Sequence, residues 1–142
     1  MEVFFSRLET ILSRSVWRII LGRSLKSAKN AGTRMERLTA DYLAEALDDD
    51  GIDRQVKVGA LDLGDVRGVK IWGQPVAIEC KDVATMALPA WLREAEIERG
   101  NKDALAGVVV HKKRGTADPG SQYVTMSLRD FASLLAGARP KA

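Results

Sequence analysis

The sequence predicts an α/β domain in which a central mixed sheet is flanked by helices, and three observations carry that reading. From residue 33 onward, segments of helical and strand period interleave in the order α-β-β-β-α-β-β-α. The run "LAGVVVHKK" (105–113) is continuously apolar over a strand's length, as a strand buried on both faces requires. The chain has 142 residues, 46% of them hydrophobic and 29% charged, which suits one domain with its own core.

Taken in order, "MEVFFSRLETILSRSVWRIILGR" reads as a basic amphipathic helix. Phe5, Leu8, Leu12 and Ile19 recur at helical spacing, with Arg7, Arg14, Arg18 and Arg23 between them. "SLKSAKNAG" reads as a breaker, so residues 1–30 form an extension and 31–142 the main domain. A DNA-gripping arm, a membrane-surface helix and a partner-docking helix all fit the extension. A cleavable presequence fits less well, because the apolar stretch lacks a small-residue cleavage signature.

"GTRMERLTADYLAEALDDDG" (32–51) is the clearest helix, with Thr33 as the expected N-cap and Gly51 as the stop. "DRQVKVG" (53–59) and "DVRGVKIWG" (65–73) read as strands, Gly73-Gln74-Pro75 as a turn, and "VAIECK" (76–81) as the returning strand. "LPAWLREAEIERGNKD" (88–103) is a helix with Pro89 in its first turn. The apolar strand follows, then the loop "RGTADPGS", the short strand "QYVTM" and a closing helix begun by Ser127 and Asp130.

Charge is unevenly spread. Residues 1–34 carry seven Lys/Arg against two Glu, whereas 35–142 carry fifteen Lys/Arg against seventeen Asp/Glu. Nucleic-acid binding by the main domain would therefore rest on local basic patches, or on metal ions that neutralise acids. A single cysteine allows neither an internal disulfide nor a cysteine-based zinc site, and it fits a reducing cytoplasm. No apolar run reaches the ~18–20 residues of a membrane span.

The chemistry concentrates in "VAIECKD". Glu79 and Lys81 share one strand face while Cys80 points to the other, which marks its side chain as a small core residue. Asp65 opens the preceding strand. Pairing around residue 74 would set Glu79 opposite residue 69, so the hairpin must twist or bulge to bring Asp65 to Glu79. If they meet, two carboxylates and the Cys80 main-chain carbonyl offer the hard oxygen donors that Mg²⁺ favours. Lys81 would then face the growing charge on a phosphate. On spacing alone, an exposed acid and a surface ion pair remain open.

Context adds a resemblance. "GD" (64–65) before the apolar "VAIECK" strand, the preceding "GTRMERLTADYL" and the following "WLREAEIERGNKDALAGVVVHKK" resemble the core of the PD-(D/E)XK nuclease superfamily. Within it the chain is most similar to archaeal-type Holliday junction resolvases and their phage relatives, over about residues 31–136. The resemblance implies a restriction-endonuclease-like fold, a homodimer, and Mg²⁺-dependent paired cutting of branched DNA, with Mn²⁺ as a substitute. It implies recombination or repair in the cytoplasm of a bacterial or phage-infected cell, and no small-molecule cofactor. By position, Asp65 and Glu79 would be metal ligands, Lys81 the catalytic lysine, and Glu36 a catalytic acid at the metal directly or through water. Arg37 would contact phosphate, with Arg34 beside it in the same motif. Gly64 stands where the family often has proline. Asp62 competes for the role of Asp65, or lies behind it as a supporting acid; it falls in the turn, whereas a strand follows Asp65 at once.

Other residues carry two readings each. Lys112, Lys113 and Arg114 form either a solvated strand end or a phosphate patch. His111 fits a structural role better than a general base. Trp72 and Trp91 fit packing better than base stacking, and Glu94, Glu96 and Glu98 read as the wet face of their helix. The dimer face is expected on the helix at 89–101 or on the fourth strand.

Overall fold

A computed structural model of the chain describes residues 24–142. The arginine-rich apolar stretch expected to form the N-terminal helix falls on residues 1–23, outside the described residues. Helix α1 runs over Leu25–Ala46, capped by Ser24, whose hydroxyl accepts from the Ser27 amide at 3.2 Å. The expected start at Thr33 is thereby corrected. "SLKSAKNAG" does not break the chain but forms the cap and first turns of α1, and the boundary near residue 30 falls inside the helix. Gly32 costs a helix interior only about 1 kcal/mol, and the burial of Ala31 and Met35 on either side offsets it. The helix closes at Ala46, and the turn that follows places Asp48 at φ 48°.

Four strands follow: β1 (Asp53–Arg54), β2 (Val66–Arg67), β3 (Lys70–Ile71) and β4 (Gln74–Lys81). The strand expected over 53–59 is only two residues long. Val56 and Val58 alternate, but both are exposed and neither meets a partner strand. The turn also differs from expectation: Trp72 and Gly73 occupy its centre, at φ 55° and 68°, as a two-residue hairpin of the primed type requires. Gln74 and Pro75 already belong to β4.

The strand expected over 65–73 splits into β2 and β3. Lys70 pairs with Pro75, whereas Val66 pairs with Ile78, so the first strand carries one more residue than its partner between those points. That extra residue is a β-bulge, with Gly68 at φ 87° inside it.

Helix α2 (Leu88–Lys102) crosses over to β5 (Ala106–His111), which lies parallel to β4. A 3₁₀ turn (Pro119–Ser121), β6 (Tyr123–Thr125) and α3 (Leu128–Ala136) complete the described chain. The sheet order is β1-β2-β4-β5-β6, with β3 on β4, and only the β4–β5 pairing is parallel. The protein is thus a mixed α/β fold with a central mixed sheet flanked by helices.

Strand alternation divides the core. Val76, Ile78, Cys80, Val108 and Val110 pack with Met35 and Ala40 of α1. Val109, on the other face, packs with Trp91 and Ala95 of α2. Gly107 lets α2 come close, because a Cβ there would lie 2.5 Å from the Ala95 carbonyl oxygen. Ser127 caps α3, accepting from the Asp130 amide at 3.1 Å. The Asp130 carboxylate turns inward instead, accepting from the Gly107 amide at 3.2 Å and from Arg139 at 2.6 Å. Because β5 is buried between β4 and β6, it cannot supply the dimer face expected of it. Among the described residues no helix is long and apolar enough to cross a membrane.

Candidate active site

The bulge decides the site. It carries Asp65 past β2 to the level of Glu79, where the Asp65 amide donates to the Ile78 carbonyl at 2.7 Å. The Asp65 Oδ2 atom in turn accepts from the Cys80 amide at 2.8 Å. Gly64 permits this approach: at φ 90°, a Cβ would lie 2.9 Å from the Ile78 carbonyl oxygen. The Lys81 carbonyl accepts from Lys112 on the β5 side. By strand alternation the peptide groups of Cys80 face the opposite edge, the side of Asp65. Its thiol points into the core near Thr39, where burial pushes it up and keeps it protonated.

The sequence-derived acids Asp65 and Glu79 therefore stand together, with Lys81 beside them. The Lys81 Nζ atom lies 3.0 Å from Glu79 and 2.5 Å from Glu94 of α2. Burial opposes charge on Lys81, but these two carboxylates prevail and push it up to about 12. Lys81 is a fixed cation at neutral pH. Burial and the nearby charge of Glu79 push Asp65 up to about 7, against the Cys80 amide that favours its ionised form. Glu79 is held below its ordinary range: burial works against ionisation, but hydrogen bonds with Glu98 and Lys81 outweigh it.

Glu98 corrects the expectation of a wet helix face. It is 2% exposed, on the inward stripe of α2 with Trp91 and Ala95, and burial followed by its contact with Glu79 raises it far above a normal glutamate. The signal was present in the sequence: residues 91, 95 and 98 share the buried face at helical spacing.

A groove of about 610 Å³ runs past Asp65, lined by Lys29, Glu36, Arg37, Arg54 and Lys57 among others. Glu36 is in this groove as expected, but its carboxylate is held by Arg54 at 2.7 and 3.1 Å. Arg37 also lines the groove, paired with Asp41 at 3.1 Å and Asp53 at 2.7 Å. Lys29, Arg54 and Lys57 escaped the sequence reading, because their segments carry no motif and only folding places them together. Arg34 is exposed and does not line the groove.

Lys112, Lys113 and Arg114 also lie outside the groove lining and are engaged elsewhere. Lys112 bonds to the Thr116 carbonyl, Lys113 lies over the Tyr123 ring, and Arg114 pairs with Asp82 at 3.0 Å. They sit where β5 ends beside Lys81, but not as an unengaged patch. His111 is buried against Trp91 and Tyr123, with Nε2 2.7 Å from the Thr125 hydroxyl, and burial lowers its pKa. This is a structural histidine. Asp62 is exposed and accepts from the Gly64 amide at 3.0 Å, which shapes the turn entering Asp65.

Among the described residues, no three His, Cys, Asp or Glu side chains stand as a ready-made metal-binding group. The donors still have the chemistry of a hard-cation site. Two carboxylates and a main-chain carbonyl share one edge, and crowding favours a proton on Asp65 that a dication would replace. Comparison with known proteins finds no match to this chain among family models, curated proteins or solved structures.

Proposed function

We propose that this protein is a Mg²⁺-dependent endonuclease of the restriction-endonuclease-like fold that cuts four-way DNA junctions as a homodimer. The observation that carries the reading is the bulge-enforced meeting of Asp65 with Glu79, beside a lysine held permanently charged. Mg²⁺, or Mn²⁺ in its place, would be held by Asp65, Glu79 and the Cys80 carbonyl, with Glu36 nearby, and would supply Lewis acidity toward a phosphodiester and its attacking water. Lys81 keeps its proton and places positive charge where the phosphate oxygens gain negative charge. Lys29, Arg37, Arg54 and Lys57 hold the DNA backbone along the groove, Arg37 and Arg54 exchanging their internal carboxylate partners for phosphates. Two symmetric cuts need two sites, and two copies of the chain provide them most simply. The junction as substrate rests on the sequence resemblance, as does work in recombination or repair in the cytoplasm.

The test compares the protein with its Asp65→Asn and Lys81→Ala variants in Mg²⁺, on a four-way junction, a nicked duplex and a linear duplex. The reading expects paired cuts in the junction by the unaltered protein alone. Equal cutting of all three DNAs would remove the junction assignment and leave the nuclease. Tight DNA binding without any cutting would instead make the protein a binding scaffold.

A further inference from the structure

Glu98 is the one acid of the cluster that lacks both solvent and a complete set of partners. It is 2% exposed on α2, its carboxyl shares a hydrogen bond with Glu79, and no N–H or hydroxyl donor reaches Oε2. Such a group is costly to bury, and an apolar residue there would continue the Trp91–Ala95 stripe. Lys102, one turn on, is attracted by the charge of Glu98 but directs Nζ to the Val66 carbonyl at 3.4 Å. Oε2 is closed off from solvent and lies against Gly64, whose absent Cβ would be 3.5 Å from that oxygen. Gly64 immediately precedes Asp65, so Oε2 is turned toward the same corner as the Asp65 and Glu79 carboxylates. The nearby Asn101 amide donates to the Asp62 carbonyl at 2.9 Å, which ties α2 to the loop that delivers Asp65.

We propose that Glu98 is a third carboxylate of the divalent-cation site, with Oε2 as an oxygen donor alongside Asp65 and Glu79. This rests on the metal site of the nuclease reading and adds to it a residue from a different element, the crossover helix. A bound dication would give Oε2 its missing partner and fasten α2 to the bulged corner. The site then spans both sides of the β4 edge, with main-chain donors from the strand and a side-chain donor from the helix.

The test uses the full chain stripped of metal. Mg²⁺ and Mn²⁺ binding are measured by calorimetry for the unaltered protein, Glu98→Gln, Glu98→Asp and Asp65→Asn, with thermal unfolding in EDTA and in Mg²⁺. Glu98→Gln should weaken metal binding about tenfold or more and shrink the metal-induced rise in Tm. Its Tm in EDTA should match or exceed that of the unaltered protein, because an amide still donates to Glu79. Glu98→Asp, which keeps a carboxylate, should recover part of the affinity. Unchanged metal affinity with a lowered Tm in EDTA would show a purely structural glutamate and overturn the proposal, while junction cutting by the unaltered protein would leave the nuclease reading intact. Conversely, metal binding that depends on Glu98 in a protein that cuts no DNA would uphold the site and remove the nuclease. No metal binding by the unaltered protein would overturn both.

Discussion

The two faces of β4 are built from alternate residues of one eight-residue strand, yet they obey different rules. Toward α1, Val76, Ile78 and Cys80 form an ordinary dry core with Met35 and Ala40. Toward α2, Ala77 is followed by Glu79 and Lys81, and α2 answers with Glu94 and a buried Glu98. Burying carboxyls beside one another is expensive, and apolar residues of similar volume would serve stability as well or better. A fold that keeps such a cluster on one face, with a regular core on the other, separates holding the sheet together from holding charge in place. The charged cluster lies on the α2 side and at the β2 edge, where Asp65 joins both, and the proposed function is placed there.

The largest effect expected from breaking the dry face is Ile78→Ala. Ile78 is buried among α1 contacts, and the truncation should cost ~2–5 kcal/mol in urea unfolding, equally with and without Mg²⁺. A cost that depends on metal would mean that the two faces are not separable. On the charged face, Lys81→Ala should lower DNA cleavage by about 10²–10³-fold, or about 3–4 kcal/mol in the barrier, while the protein stays folded by circular dichroism. Near-normal cleavage would strip Lys81 of its role.

A smaller, diagnostic effect is a pH dependence that only the charged face should show. Folding raises Asp65 from 3.8 to about 7, so the folded chain binds that proton more tightly than the unfolded one. This contribution is fully present below pH 3.8 and is lost as the pH rises through about 7. Glu98 shifts in the same direction and Glu79 in the opposite one. Metal-free protein should therefore lose stability on going from slightly acidic to slightly alkaline pH, and Asp65→Asn should flatten the slope. An equal slope in the variant would assign it to other groups. The smallest change belongs to the dry face: Thr39 there bonds back to the Met35 carbonyl at 2.7 Å. Thr39→Val should alter stability by no more than about 1 kcal/mol and leave the pH profile unchanged.

Most elements were legible because their signals are local. The β5 run, Pro89 at the start of α2 and the Ser127 cap each state an element within a few residues. The failures were local signals overruled by packing. "SLKSAKNAG" resembles a breaker until Ala31 and Met35 are seen buried, and the valines of "DRQVKVG" resemble a strand until no partner strand is found beside them. Site legibility followed the same line. Asp65, Glu79 and Lys81 lie near one another in the chain and could be named, whereas Glu98 reads as one more acid in a charged helix until its stripe is matched with Trp91 and Ala95.

What the sequence determined by itself was the alternation of "VAIECK", which commits Glu79 and Lys81 to one face and Cys80 to the other, whatever surrounds them. Residue spacing along a strand sets that relation. What only the tertiary structure decided was which acids share a site. A one-residue bulge between Val66 and Lys70 brings Asp65 beside Glu79, and the crossover of α2 brings Glu98 from nineteen positions further along the chain. Register and helix placement result from the whole core closing at once, and no short stretch of residues encodes them.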